Sequence, residues 1–384
     1  MRTTAQPETQ YNGGEPFLYM ALELGEKTWK LGFTVGLGQR PRLRTIPGSD
    51  LRALEREISR AKQRFGLDES VPVLSCYEAG REGFWIHRYL IGQGIENQVV
   101  DSSSIEVDRR ARRAKSDGLD ARKLVEMRIR YARGEKRVWR VVHVPSREDE
   151  DDRHLHRSLK TLKQERTAIG NRMRGLLKTQ GITWPGPILK LNGAALEALH
   201  DWEGAELGAG IKARIRIQIE LFDQVNQQIT TLEQQRRQQL RQAEGKKLDQ
   251  IRHLESLKGV GINGSWTLVM EAFGWREFRN RRQVGACLGM TPSPFQSGTS
   301  SREQGISKAG NRWCRDVLGE LAWTWVQYQP HSELTLWYEK RFAQAGPRAR
   351  KVGIVALGRK LVIQLWQFLE YGVVPPGAEF YSSL

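Results

Sequence analysis

Cysteine is scarce. Cys76, Cys287 and Cys314 are the whole complement in 384 residues and stand far apart, which leaves neither a disulfide framework nor a CxxC metal knuckle. Each reads as a small buried apolar side chain. Long uncharged apolar runs are also missing: no window reaches the roughly 18 residues of a membrane span. The amino terminus, MRTTAQPETQYNGGEP, has no apolar core of the signal-peptide kind. The expectation is a cytosolic protein with no membrane partner. Acidic side chains are in deficit, 44 Asp and Glu against 61 Lys and Arg, for a formal charge of +17. Such a basic excess points to a polyanionic partner, nucleic acid first. The seven histidines are scattered and suggest no Ser-His-Asp arrangement.

What is present suffices for real cores. The length implies two or three folding units, and 39% of the residues are hydrophobic. Residues 1–16, polar and rich in Gly, Pro and Gln, read as a flexible tail. From Phe17, the runs FLYMALEL, TWKLGFTVG and RLRTIPG, broken by Gly and charged turns, predict a three-strand meander. Ser49 and Asp50 then cap a helix with Leu51, Leu54 and Ile58 on one stripe. VPVLSCYEAG reads as a buried strand, GFWIHRYLIGQG as a helix, NQVVD as a strand, and the stretch from Asp117 to about residue 133 as a helix. Strands followed by alternating strands and helices indicate a mixed α/β sheet over residues 17–148.

Composition changes at SREDEDDRHLHR. Leu155, Leu159, Leu162, Ile169, Met173 and Leu176 follow a 4-3-7-4-3 spacing, the seam of a coiled coil. Phe222, Val225, Ile229 and Leu232 repeat the theme, with GITWPGP as the turn between. Residues 149–250 are therefore expected to form a long antiparallel coiled-coil hairpin that favours self-association. Residues 251–384 regain Gly and Trp in mostly helical periods and form a further, mostly helical domain.

Glu23 lies in the first strand, Glu78 closes the VPVLSCYE strand, and Asp117 and Asp120 open a helix. Residues three apart on a helix share a face, and carboxylate oxygens are the ligands Mg²⁺ prefers. A divalent ion would relieve the mutual repulsion of four acids. It would also make the neighbouring Arg109, Arg110, Arg112, Arg113 and Lys115 useful as phosphate grips. The bland alternative is that Asp117 caps the helix and Asp120 is favoured by its dipole. Further on, LKGVGINGSWTL has the form of a helix-hairpin-helix turn, in which Lys258, Gly259 and Gly261 would offer a charge and backbone N–H groups to a phosphate. A plain tight turn explains the two glycines nearly as well. The segment ACLGMTPSPFQSGTSSREQGISKAGNRWCRDVL has a polar, serine-rich loop and a helix from about Lys308 bearing Arg312. Trp313, Trp323 and Trp325 recur at helical spacing, where core packing outweighs base stacking.

These motifs, in this order, resemble the DEDD insertion-sequence transposases, the family of bridge-RNA-guided serine recombinases. ALELGEK places Glu23 where that family carries an Asp. Its tyrosine-glutamate-alanine-glycine motif stands as Tyr77, Glu78, Ala79 and Gly80, and its third motif as Lys115, Ser116, Asp117, Asp120 and Ala121. Its carboxy-terminal signature stands as Gly289, Thr291, Pro292, Ser297 and Gly298, then Gly305, Ile306, Ser307, Lys308, Gly310 and Asn311. The resemblance implies an RNase H-like (RuvC-like) first domain holding Mg²⁺ on Glu23, Glu78, Asp117 and Asp120. It also implies a nucleophile at Ser297, with Ser293 as the fallback register. The partners implied are donor and target double-stranded DNA, a noncoding guide RNA from the same element, and further copies of the chain as a dimer or tetramer. Two rival readings stay open: a metal-dependent junction nuclease using the four acids and water, and a non-catalytic nucleic-acid-packaging protein.

Overall fold

Leu18, Met20 and Leu22 alternate with Tyr19 and Ala21, and all are buried, so strand β1 (Leu18–Leu24) must be covered on both faces. It is the centre of a five-stranded mixed sheet in a computed structural model that describes residues 16–105, 117–297 and 300–381. The chain divides at residues 146 and 147 into two compact units.

In the first unit, β1 continues into β2 (Thr28–Thr34) and β3 (Arg42–Pro47) as the expected antiparallel meander. Helix α1 (Leu51–Arg64) follows, capped by Asp50, whose side chain accepts from the Ala53 N–H at 2.9 Å. Strand β4 (Val73–Glu78) then pairs parallel with β1. After helix α2 (Trp85–Gly92), strand β5 (Glu96–Val100) pairs parallel with β4. The order is β3-β2-β1-β4-β5. One face, with Leu18, Met20, Leu22, Leu31 and Phe33, packs on Leu54 of α1 and on Ile86 and Leu90 of α2. The other, with Tyr19, Ala21, Leu74 and Cys76, packs on Leu124, Val125 and Ile129 of α3 (Asp117–Ala132). Gly32 of β2 lies under the Ala121 carbonyl, and a side chain there would press on it at 3.1 Å. That missing side chain lets α3 lie close to the sheet.

The second unit opens with α4 (Arg147–Asp151) and the long α5 (His154–Lys178). A connector with a 3₁₀ turn at Ile188–Lys190 and the short α6 (Gly193–Glu197) leads to α7 (Ala209–Gln242). Lys163 meets Glu233 at 2.6 Å, Arg166 meets Asn226 at 3.1 Å and Arg172 meets Gln218 at 2.9 Å. Rising numbers on α5 match falling numbers on α7, so the two helices are antiparallel. Ile169, Met173, Leu177, Ile215, Ile219 and Phe222 are buried together around the connector's Ile188, Leu191 and Leu196. Leu177, not the expected Leu176, is the fully buried position. The predicted short turn is a structured connector of its own.

The rest of the unit is a helical body: α8 (Lys246–Glu255), α9 (Ile262–Leu268) prolonged by a π turn at Val269–Phe273, α10 (Arg281–Cys287), α11 (Arg312–Tyr328), α12 (Glu333–Tyr338) and α13 (Pro347–Tyr371). Trp325 and Trp266 fill its core. Helix α13 is long and apolar enough to cross a membrane by length and composition. It carries Arg359 and Lys360 at its middle, and Ile354, Leu357, Leu361 and Leu365 are buried in this core. Between α10 and α11 the serine-rich stretch, expected to be loop, is instead a two-stranded antiparallel ribbon of β6 (Pro292–Ser297) and β7 (Ser300–Ile306).

Candidate active site and nucleic-acid interface

The four candidate acids are governed by the sheet. Leu22 and Tyr77 are the last residues paired between the parallel strands β1 and β4, and Glu23 and Glu78 are the next residue on each strand. Each continues the alternation that turns Tyr19, Ala21, Leu74 and Cys76 toward α3, so both carboxylates belong to the α3 side. The Cys76 thiol reaches the Leu124 carbonyl at 3.6 Å, and Arg128 Nε donates to the Ser75 carbonyl at 3.1 Å. As the helix number rises the strand number falls, so α3 runs against β4. Its first turn therefore starts toward the end of the sheet where Glu23 and Glu78 stand.

Asp120, half-buried, lies four residues before the buried Leu124 and so on the same stripe. Lys30 faces Glu23 across the β1–β2 pair. The side chain of Asp117 lies outside the described residues, as do Arg109, Arg110, Arg112, Arg113 and Lys115. Among the described residues no group of three or more His, Cys, Asp or Glu side chains is arranged around a metal position. The donor set is nonetheless wholly carboxylate, which is the chemistry of a hard cation such as Mg²⁺.

In the second unit the glycine motif around the ribbon does structural work. Gly289 (φ 64°) and Gly310 (φ 147°) are in contact, and a side chain on Gly310 would overlap the Cys287 carbonyl. The Ser307 N–H donates to the Thr291 carbonyl at 2.8 Å, the Lys308 N–H to Gly289 at 3.0 Å and the Asn311 N–H to Cys287 at 2.8 Å. These bonds pin the base of the ribbon to the end of α10. Gly310→Ala is expected to cost about 1–3 kcal/mol, because backbone rather than a flexible side chain occupies the space. A urea midpoint unchanged from wild type would contradict this.

Ser297 ends β6 in register with Ser300. Its side chain and that of Ser293 lie outside the described residues. Lys308, held at φ 57°, and Arg312, with four-fifths of its side chain in solvent, flank the base of the ribbon on an exposed surface. Gly259 (φ 80°) is turned inward: its carbonyl accepts from Thr324 Oγ1 at 2.7 Å, and a side chain there would meet the Thr324 carbonyl. Lys258 Nζ is paired with Glu379 at 2.7 Å. Gly261 caps α9 and is exposed. Of the three, Gly261 alone offers an open backbone.

Sequence reasoning missed a heavily bonded carboxylate of this unit. Glu271, fully buried in the π turn, accepts from Arg157 Nε at 2.7 Å, Arg157 Nη2 at 2.9 Å and Asn311 Nδ2 at 2.7 Å, and lies 2.9 Å from His156 Nε2. Burial alone would raise its pKa. The hydrogen bonds from His156, Arg157 and Asn311 outweigh it and hold the carboxyl down at about 2. An ionised carboxylate only accepts, so His156 Nε2 carries the proton. Burial also lowers the His156 pKa, against the pull of Glu271, and keeps the ring neutral. Asn311 Oδ1 in turn caps α11 through the Cys314 N–H at 3.1 Å. Glu271 thus ties α5 to the foot of the ribbon. The one visible signal was a lone acid inside the apolar run WTLVMEAFG.

The region from α8 into α12, residues 251–336, matches the family model described as Transposase IS116/IS110/IS902 family. Over 372 residues, 94% of each chain, the protein is 36% identical to "Putative transposase y4rJ" of Sinorhizobium fredii. It is 27% identical over 264 residues to "Probable family 20 transposase" of Pseudomonas aeruginosa, covering 68% of this chain and 74% of that one. Over 293 residues it is 24% identical to "Transposase for insertion sequence element IS1111A" of Coxiella burnetii, covering 76% of this chain and 75% of that one. With a relative this similar along nearly its whole length, the chain belongs to the IS116/IS110/IS902 family of insertion-sequence transposases.

Proposed function

We propose that the chain exchanges DNA strands by serine attack, with an RNase H-like, RuvC-type first unit supplying an Mg²⁺ site and the second unit supplying the nucleophile. The observation that carries this reading is the gathering of Glu23, Glu78 and the start of α3 at one end of one sheet face, in a sheet ordered β3-β2-β1-β4-β5. Glu23, Glu78, Asp117 and Asp120 would hold the ion. When bound, it would neutralise charge on the scissile phosphate. Ser297 Oγ forms a bond to phosphorus, the bond from phosphorus to the 3′ oxygen breaks, and the serine proton ends on the freed 3′-hydroxyl. A 5′-phosphoserine remains, and a 3′-hydroxyl from another strand reverses the step. One ester replaces another throughout, so no outside energy source is required.

The basic cluster Arg109, Arg110, Arg112, Arg113 and Lys115, together with Lys308 and Arg312, would grip phosphates. Donor and target DNA, a structured noncoding RNA of the element, and further copies of the chain complete the assembly, in the cytosol. A charge of +17 supports polyanion partners of this kind. A junction nuclease that uses water in place of Ser297 is the second reading. What favours it is that the acids gather within a unit compact by itself.

Asp120→Asn is expected to lower strand cleavage about 10²-fold or more while DNA binding persists, and EDTA to abolish cleavage in the wild type. Cleavage indifferent to both would remove the metal from the scheme. Sequencing the nucleic acid that copurifies when the protein is expressed beside its native flanking DNA tests the guide. One discrete noncoding RNA is the expected yield, and random cellular RNA would count against it.

A further inference from the structure

A cleft of about 420 Å³ opens in the second unit where α5, α7, α9 and α11 come together. Its floor is apolar, with Leu159, Val317 and the half-buried Trp313. Its walls are largely neutral hydrogen-bonding groups: Gln164 and Thr167 from α5, Asn263 and Thr267 from α9. The volume falls within the range of small-ligand sites.

The charges in the cleft narrow the ligand. Lys160 is held by Asp316 at 2.7 Å and Lys163 by Glu233 at 2.6 Å, and Glu320 lies on the wall. Cations already matched by carboxylates make a poor grip for a polyphosphate. Arg236 also feels the charges of Glu233 and Glu255, yet it is 3% exposed, lines the same cleft, and its Nε has no hydrogen-bond partner among the described residues. A buried guanidinium nitrogen without an acceptor is costly, and a ligand carrying a carbonyl or ring-nitrogen acceptor would relieve it. Trp313 carries the Lys160 ammonium 5.0 Å and the Arg157 guanidinium 5.4 Å from its ring centre, so its faces are engaged and it serves as wall. Amides and hydroxyls over an apolar floor, beside a buried donor, match the edge of a nucleobase. The two partly exposed lysines at the side leave room for a single backbone phosphate.

We propose that this cleft receives one unstacked nucleobase from a nucleic-acid strand lying across α5 and α9. The inference rests on the chain's belonging to a transposase family and on no part of the serine chemistry. Calorimetric titration of the full-length protein with AMP, GMP, CMP and UMP tests it, with inorganic phosphate and ribose 5-phosphate as base-free probes. At least one monophosphate is expected to bind at one site per chain, with both base-free probes at least about tenfold weaker. Thr167→Trp and Asn263→Trp, at exposed positions on α5 and α9, should each weaken that binding at least about tenfold by filling the cleft, with the thermal unfolding midpoint unchanged. Base-free probes binding as tightly as the nucleotides would overturn the proposal. So would plugged variants that bind like wild type, or no binding of any monophosphate at roughly 10 mM. None of these readouts depends on cleavage, so a failed serine mechanism and a failed base site would be told apart.

Discussion

Glu271→Gln lowers the stability of the carboxy-terminal unit by about 3 kcal/mol, the lower end of the cost of removing one partner from a buried charge pair, because Arg157 keeps a third of its side chain in solvent. The substitution keeps the shape and one acceptor oxygen, yet it turns an NH₂ group onto two donors, either His156 Nε2 and Arg157 Nε or Arg157 Nη2 and Asn311 Nδ2. His156 can shift its proton to Nδ1 and accept instead. Arg157 has no such freedom, and its guanidinium would keep its charge with the countercharge gone. The pH dependence provides a second readout. The Glu271 carboxyl is depressed from 4.5 to about 2 in the folded unit, so its contribution is complete above 4.5 and is lost as pH falls from there toward 2. His156 is depressed too and stays neutral when folded. Unfolding lets it take up a proton below its ordinary 6.5, so stability already declines as pH drops through that value. Urea midpoints across this range should fall for wild type, and the portion below 4.5 should flatten in Glu271→Gln. Equal midpoints at neutral pH would show that the four contacts contribute nothing.

The reach of sequence reasoning follows from where each determinant lies. The meander and its capped helix were legible because alternation in FLYMALEL and the Asp50 cap are local. The position of Glu78 was legible because an acid at the end of a buried strand interrupts a visible pattern, whereas Glu23, inside the first strand, was singled out by the family resemblance. Glu271 was not. Its environment is made by His156 and Arg157, 115 and 114 residues away, and by a π turn that no periodicity announces. The ribbon of β6 and β7 escaped for another reason. Its Pro, Gly and Ser content reads as loop, and the strands are specified by mutual register and by Gly289 and Gly310 at their base, not by an alternating apolar face. The connector between α5 and α7 was compressed to a turn because GITWPGP carries a strong breaker signal. Its order comes from Ile188, Leu191 and Leu196 inserting between the two long helices.

Ser297→Ala is expected to reduce covalent protein–DNA adduct by about 10⁴-fold or more, because no other oxygen takes the place of a nucleophile. The backbone argues against an indirect effect. Ser297 sits at the last pair of β6 and β7, opposite Ser300, and alanine satisfies the same main-chain bonds. The glycine contacts that fix the base of the ribbon lie elsewhere, at Gly289 and Gly310. Binding of DNA and RNA should therefore survive while the band that resists denaturation in a gel disappears. Ser293→Ala is the internal control. Four positions earlier on β6, it leaves the adduct intact if Ser297 is the attacking group and removes it if the register is shifted. Strand cleavage that continues in Ser297→Ala with no adduct from either protein would mean that water attacks. The acids at the carboxy-terminal ends of β1 and β4 would then be the whole catalytic site, and the ribbon a device for holding DNA.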